Sequence, residues 1–348
     1  MHVAYVAWDP LKYPRIGKIT STLRKRGDVE FHVMMPKFKF VRRGGKIGRL
    51  MASIVNYLTV LLQIFFIRGN IFFVANCPDI LVIPLVFRRK RYILEYRSPW
   101  SLEVESEFGS GPWVNLAAFF ERYALRNAWI VTLTTNKLMA KVKNFGKPTF
   151  VIPNYPLKDF GNVPANSRER VRSQFDEKDT DKVVLFVGKL TKVEGADMLT
   201  TIIEGVLKET EAVFWIVGGG PLYPSLEKLA QEHKHEVLLF DWQPHAEIPK
   251  FINASDVCIA PRHKSPYSVF YNEEGVSKIS EYMFFNKPIV ACGISESKEY
   301  LLVEEDEMAD GVLKALRGEV APSHRRSWEE NCEKKILEMF SQIQAGKL

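Results

Sequence analysis

Val183-Val184-Leu185-Phe186-Val187-Gly188-Lys189-Leu190-Thr191-Lys192-Val193-Glu194-Gly195 changes character in its middle. The first five residues are apolar and rich in β-branched side chains, which reads as a buried strand. Two glycines then bracket a loop carrying two lysines, and the spacing of apolar residues over 195–208 is helical. Strand, loop and helix in that order, repeated, build a parallel sheet with helices on both faces. Outward from here the alternation continues. Strands are expected at 3–7, 30–34, 71–75, 91–96, 129–133, 149–152, 212–217, 236–240, 256–260 and 288–292, and helices at 17–26, 48–66, 113–126, 136–144, 222–232, 245–253 and 277–285. The pattern falls into two sets, before about residue 153 and after about residue 182. Between them Pro156 to Asp181 is rich in Pro, Gly, Asn and charge, the composition of a linker. The class is therefore α/β with two Rossmann-like domains. Ligands in such sheets bind outside the carboxyl ends of the strands, and the cleft between two domains is the expected site. Ser327 to Ile343 reads as a helix with Ser327 as N-cap and Glu329 and Glu330 in its first turn. No strand follows, so it is free to return to the first domain. The expected division is 1–155 with 327–348, a linker at 156–181, and 182–326.

A chain of 348 residues, 46% hydrophobic and 26% charged, suits two folded domains and excludes wholesale disorder. Its net charge of +7 suits phosphates or an anionic surface. Nucleic acid is not expected as a partner, because the basic residues lack interleaved aromatics or a recognised module. Cys77, Cys258, Cys292 and Cys332 stand singly and read as reduced packing residues of a cytoplasmic protein. The N-terminus enters a strand without the basic and apolar pattern of a signal peptide. Leu50 to Ile67 gives 18 residues without a charge. Ser53, Asn56, Thr59 and Gln63 draw a polar stripe down that helix, which favours packing on protein or lying on a bilayer over crossing one. The preceding Lys37, Lys39, Arg42, Arg43, Lys46 and Arg49 suit peripheral contact with an anionic membrane.

The chemistry concentrates in the second half. Glu273 and Glu281 have seven residues between them. Ser277 is placed to cap a helix with Lys278 in its first turn and Glu281 in its second. Free N–H groups and a positive dipole end there make an anion site, with a carboxylate on either side for sugar hydroxyls. Gly188, Lys189 and Lys192 could hold phosphate oxygens. The glycines of Val217-Gly218-Gly219-Gly220-Pro221 let backbone approach a ligand closely. Each piece alone also reads as an ordinary turn or a solvated face. Arg262, His263 and Lys264 read as an exposed basic loop that could add positive charge. Asp179-Thr180-Asp181 spells a metal-binding DxD but precedes a strand, so no metal is expected there.

Together these residues resemble the family 4 glycosyltransferases, a retaining family of the GT-B fold. The matches are Gly188-Lys189, Gly195, Val217 to Pro221, Ala254-Ser255-Asp256-Val257 with Ala260-Pro261, Glu273 with Glu281, and Asn286-Lys287-Pro288, with Val151 to Asn154 at the interdomain junction and Trp328 in the last helix. The resemblance covers about 150–300 well and the earlier residues less. It implies two domains facing a central cleft, a nucleotide-sugar as donor substrate, no cofactor and no metal. It implies that Glu273 binds the donor sugar, that Glu281 binds the ribose, that Lys189 stands where the family has a diphosphate-gripping arginine, and that Gln243 borders the nucleobase. Catalysis is then assigned to Glu273 and Lys189, and donor binding to Gly188, Lys192, Gly219, Gln243, Ser277, Lys278 and Glu281. Gly17 and Arg97 are assigned to the acceptor or a phosphate, and Glu95, Glu103 and Glu105 are candidate bases by position. Lys189 in place of arginine loses a bidentate fork. Glu194 in place of the lysine before Gly195 reverses a charge, which Lys192 could restore. The expected function is retaining transfer to a sugar or lipid-linked hydroxyl acceptor on the cytoplasmic membrane face. The alternatives are a nucleotide-sugar epimerase, against which the sparse histidines speak, and a non-catalytic binding subunit.

Overall fold

The computed structural model describes residues 1–8, 14–35, 46–175 and 181–348, and for 46–50 and Ser53 the backbone alone. Lys37, Lys39, Arg42 and Arg43, the side chains of Lys46, Arg49 and Ser53, and Asp179 and Thr180 of the DxD lie outside the described residues. The chain divides into two compact units, Met1–Pro153 with Asn331–Leu348, and Asn154–Glu330.

In the first unit the strands are β1 (His2–Val6), β2 (Glu30–Val33), β3 (Ile71–Ala75), β4 (Tyr92–Tyr96), β5 (Ile130–Leu133) and β6 (Thr149–Val151). They form one parallel sheet ordered β2-β1-β3-β4-β5-β6. β3, β4 and β5 are buried along their whole length, as strands covered by helices on both faces must be. In the second unit β7 (Val183–Val187), β8 (Val213–Val217), β9 (Val237–Phe240), β10 (Val257–Ala260), β11 (Ile289–Ala291) and β12 (Leu301–Leu302) form another, ordered β12-β11-β10-β7-β8-β9. Alternate residues of β7 and β8 feed two cores. Val184, Phe186, Phe214 and Ile216 pack on one face, and Val183, Leu185, Trp215 and Val217 on the other. The closing 334–344 helix belongs to the first unit and packs on the 14–24 helix.

Two expectations need correction. Residues 156–175 are no linker. They carry the Ser167–Ser173 helix, packed on the Ile248–Ala254 helix, with Arg172 buried against Asp256 at 2.7 Å. The unit boundary falls instead at Pro153 and at Glu330. The last segment opens as a π-turn at Glu329–Glu333 before its α-helix. The Lys46–Phe66 helix packs on protein along one side, against the Ile83–Phe87 helix. Asn56, Val60 and Ile64 point inward, whereas Met51, Ile54, Val55, Leu58, Leu62 and Phe66 face solvent. Of its polar stripe Asn56 is buried and Thr59 and Gln63 are half-buried, the inward side is completed by the apolar Val60 and Ile64, and much of its remaining apolar surface faces solvent. No helix among the described residues is long and apolar enough to cross a membrane.

Candidate functional site

The C-terminal ends of β7 and β8 meet backbone to backbone. The Gly188 N–H donates to Val217 O and the Leu190 N–H to Gly219 O, both at 3.0 Å. A Cβ at Gly218 would lie 1.8 Å from Gly188 O, so only glycine permits this contact. Gly195, with φ +71°, closes the loop's far end, where a Cβ would lie 2.4 Å from Pro261 O. The lysine loop is thus held between two neighbouring turns. Lys189 and Lys192 stand exposed on it. Gly219 lies beside Asp241 and Trp242, near enough that a Cβ would touch both side chains.

Behind the loop stands the Ser277–Phe284 helix. Its N-cap is Val276, not Ser277, and no side chain caps the first turn. Asn272 explains this: its carbonyl takes the Gly275 and Val276 N–H groups, so the chain enters the helix from a tight turn without needing a serine cap. Ser277 is the first helical residue and its Oγ accepts from Asn154 Nδ2 at 2.6 Å. Of the first-turn N–H groups, that of Ile279 donates to Val276 O, and those of Ser277 and Lys278 are left for an anion. Lys278 is buried beneath Gly188, its Nζ 4.3 Å from the centre of the Phe186 ring and 3.0 Å from Glu194 Oε2. Arg262 Nη1 donates to the other Glu194 oxygen at 2.9 Å. Burial alone would raise Glu194, but Lys278 and Arg262 outweigh it and hold the carboxyl down at about 2. Burial pushes Lys278 below its usual range, with Glu194 pulling the other way. Two cations share one carboxylate, which leaves the group one positive charge under the loop. The reversed charge at 194 is therefore answered by Arg262 and Lys278, while Lys192 remains exposed.

Glu273 is buried, and its Oε2 has no hydrogen-bond partner among the described residues. Burial pushes its pKa up. A buried acceptor without a donor is costly, and an arriving hydroxyl would satisfy it. Glu281 Oε1 meets His245 Nε2 at 2.9 Å. His245 follows β9, and nothing in the sequence set it apart from the other histidines. Gln243 lines a cavity of about 350 Å³ with Phe175, Phe240 and Phe251. His263 and Lys264 are not free cations. His263 lies between Asp197 and Glu305, at 3.0 and 2.6 Å, and Lys264 pairs with Glu304.

In the first unit Gly17 sits exposed in the first turn of the Pro14–Arg24 helix, with nothing within 4 Å of a Cβ there. Packing within the chain does not require that glycine. Arg97, just past β4, donates from Nη2 to Asn76 O at 2.9 Å. Glu95 is no candidate base: it is sealed in the core, accepting from Tyr5 and Arg15.

Residues 181–318 match the family described as glycosyl transferases group 1. A protein of Escherichia coli (strain K12) named for a colanic acid biosynthesis glycosyl transferase, WcaI, is 28% identical over 153 residues, 42% of this chain and 37% of that protein. The chain therefore spans well under half of that relative. Among solved structures, WaaG, a glycosyltransferase involved in lipopolysaccharide biosynthesis, superposes with a TM-score of 0.66 at 15% identity, covering 99% of each chain. Anabaena Alr3699/HepE in complex with UDP-glucose gives 0.65 at 15% identity, covering 98% of this chain and all of that one. The fold of the two units is that of the GT-B glycosyltransferases.

Proposed function

From the match of residues 181–318 to the group 1 glycosyltransferases we propose that the chain moves a sugar from a nucleotide-sugar to a hydroxyl acceptor with retention of anomeric configuration. The reading rests on one observation above the rest. A glycine-built, positively charged mouth at β7 and β8 has Lys278 beneath Gly188, and five residues before Lys278 the chain carries a buried carboxylate, Glu273, whose Oε2 has no donor among the described residues. The diphosphate would lie on the loop backbone and the uncapped start of the 277–284 helix, with Lys189 and Lys192 closing over it and Lys278 beneath. Glu273 would accept from the sugar hydroxyls and Glu281 from the ribose, exchanging His245 for it. The bond from the anomeric carbon to the β-phosphate oxygen breaks as that carbon bonds the acceptor oxygen, and the acceptor proton passes to the departing diphosphate. Stabilisation of that leaving group supplies the catalysis, without cofactor or metal. The acceptor belongs to the first unit, with Gly17 and Arg97 as contacts. The neighbour solved with UDP-glucose makes UDP the first nucleotide to try.

Thermal shift with UDP, GDP, ADP and CDP tests the donor side. One nucleotide should stabilise the protein by about 2.7 kcal/mol at a hundredfold excess over its dissociation constant. Glu281→Ala should abolish the effect. Failure of all four at millimolar concentration would end this reading. The uncovered apolar face of the 46–66 helix supports an acceptor held at a membrane surface. Flotation with anionic vesicles should carry the protein upward, and Leu58→Glu should leave it at the bottom.

A further inference from the structure

Beside that face the first unit has an open-sided cavity of about 690 Å³, within the usual size of small-molecule sites. Tyr57 and Leu61 of the 46–66 helix form one wall, Trp100 and Phe108 of the Trp100–Phe108 helix another, and Trp113 and Leu116 of the Pro112–Asn127 helix the third. Its lining is almost wholly carbon. Trp113 Nε1, one of few polar atoms there, is spent on Gly109 O at 2.9 Å. Ordered water needs two to four polar partners, which these walls do not offer.

The cavity's position is as telling as its lining. Ile80 in its wall follows β3, Trp100 follows β4, and Tyr57 stacks at 4.2 Å on Trp8, which follows β1. All three lie past the carboxyl ends of the central strands, where ligands enter such sheets. Asn76 follows β3 directly and Arg97 and Ser98 follow β4, so polar groups occupy those same strand ends, with Asn76 Nδ2 donating to Ser98 O. The outer wall runs straight into the uncovered helix face, where Leu58 and Leu62 are each 61% exposed. At that helix's end Phe66 and Phe87 are 71% and 78% exposed, followed by Arg88, Arg89, Lys90 and Arg91. An apolar face edged with cations suits an anionic lipid surface. A bilayer, however, presents a smooth surface and cannot fill a concavity. A single chain drawn from it can.

We propose that this cavity binds one hydrocarbon chain of a lipid-linked acceptor, placing the head group near Arg97. The proposal rests on the transferase reading above, but its test does not. Trp100 and Trp113 report on the cavity directly. The full-length protein is titrated with 12-bromododecyl phosphate below its micelle concentration and with 6-bromohexyl phosphate, and tryptophan quenching is followed. Each buried methylene strengthens binding roughly fourfold, so the six extra methylenes of the longer probe should lower its half-saturating concentration by on the order of a thousandfold. Leu116 lines the cavity yet is 57% exposed, so Leu116→Glu should keep the fold, checked by its melting temperature, and weaken the long probe at least tenfold. Equal quenching by both probes, no saturation, or wild-type binding by Leu116→Glu would overturn the proposal. So would flotation with vesicles without probe binding, which makes the apolar face a bilayer contact only. Probe binding without any nucleotide shift sinks the donor reading and leaves the cavity standing.

Discussion

The two sheets have the same number of parallel strands and present the same edge, the strand C-termini, to opposite chemistry. At β7 and β8 the mouth is built from backbone and charge: Gly188 and Gly218 in contact, with Glu194 shared by Lys278 and Arg262. At β1, β3 and β4 it is built from aromatic and aliphatic side chains around a cavity. One acid from each unit, Glu95 and Glu194, sits in a network with arginine, and the two differ in a way that separates structure from function. Glu95 is fully sealed, accepts from Tyr5 and Arg15, and leaves Arg15 to tie down Ile152 O and Pro153 O at 2.6 and 3.0 Å. Glu194 is 24% exposed and sits under a loop whose lysines face solvent. Topology decides where a ligand meets a parallel sheet, and the side chains decide what it is. A charge network closed on all sides holds the fold, and one that keeps spare positive charge under solvent-facing groups is available to an anionic ligand.

Swapping each acid for its amide tests that distinction. Glu95→Gln leaves a buried guanidinium uncompensated and should cost about 3–5 kcal/mol in urea unfolding. Any nucleotide shift in the protein that stays folded should be unchanged. Gly218→Ala forces the 188 and 218 turns apart and should cost on the order of 3 kcal/mol, with nucleotide stabilisation lost as well. Glu194→Gln should cost less, about 1–3 kcal/mol, because the site is partly solvated, yet it should alter nucleotide affinity. Its pH dependence is distinctive. Glu194 is held down at about 2 in the folded chain, so its contribution is present above the ordinary carboxylate value of 4.5 and fades as pH falls toward 2. The gap between wild type and Glu194→Gln should close over that window. A gap that persists at pH 2 would mean that packing, not charge, makes the difference.

The sequence announced β7 because five apolar residues end in a glycine, and the same signal found the other long strands. It could not announce β12, two leucines at a sheet edge with no pattern to read. The 167–173 helix hid behind linker composition, since Ser-Arg-Glu-Arg-Val-Arg-Ser looks solvated until Arg172 is seen to turn inward to Asp256. In the candidate site, the turn positions of Gly188, Lys189 and Gly219 and the place of Glu281 on its helix are legible in the sequence, because turns and helix starts are local. The partners were not. Glu194 meets Arg262 across 68 residues and Glu281 meets His245 across 36, and only folding makes those pairs. Periodicity also showed that the 46–66 helix has two faces, without saying which one meets protein.

The smallest effect concerns the loop after β10, where three successive cations read as an exposed basic cluster. If charge alone made the mouth of the second unit, each would matter to nucleotide. The pairing says otherwise for His263, already matched by Asp197 and Glu305. Partial burial would lower its pKa, but the hydrogen bonds to those two carboxylates outweigh it and raise it. A raised histidine stabilises most below its unfolded value near 6.5, and that stability is lost as pH climbs through the folded value. His263→Gln should therefore cost less than about 1 kcal/mol at pH 6, since the ring is 41% exposed, and less still at pH 9. Nucleotide affinity should stay within about twofold of wild type. A tenfold loss would move His263 from the frame of the site into its contact with the phosphates, and the line drawn here between closed and open charge networks would have to be redrawn at that loop.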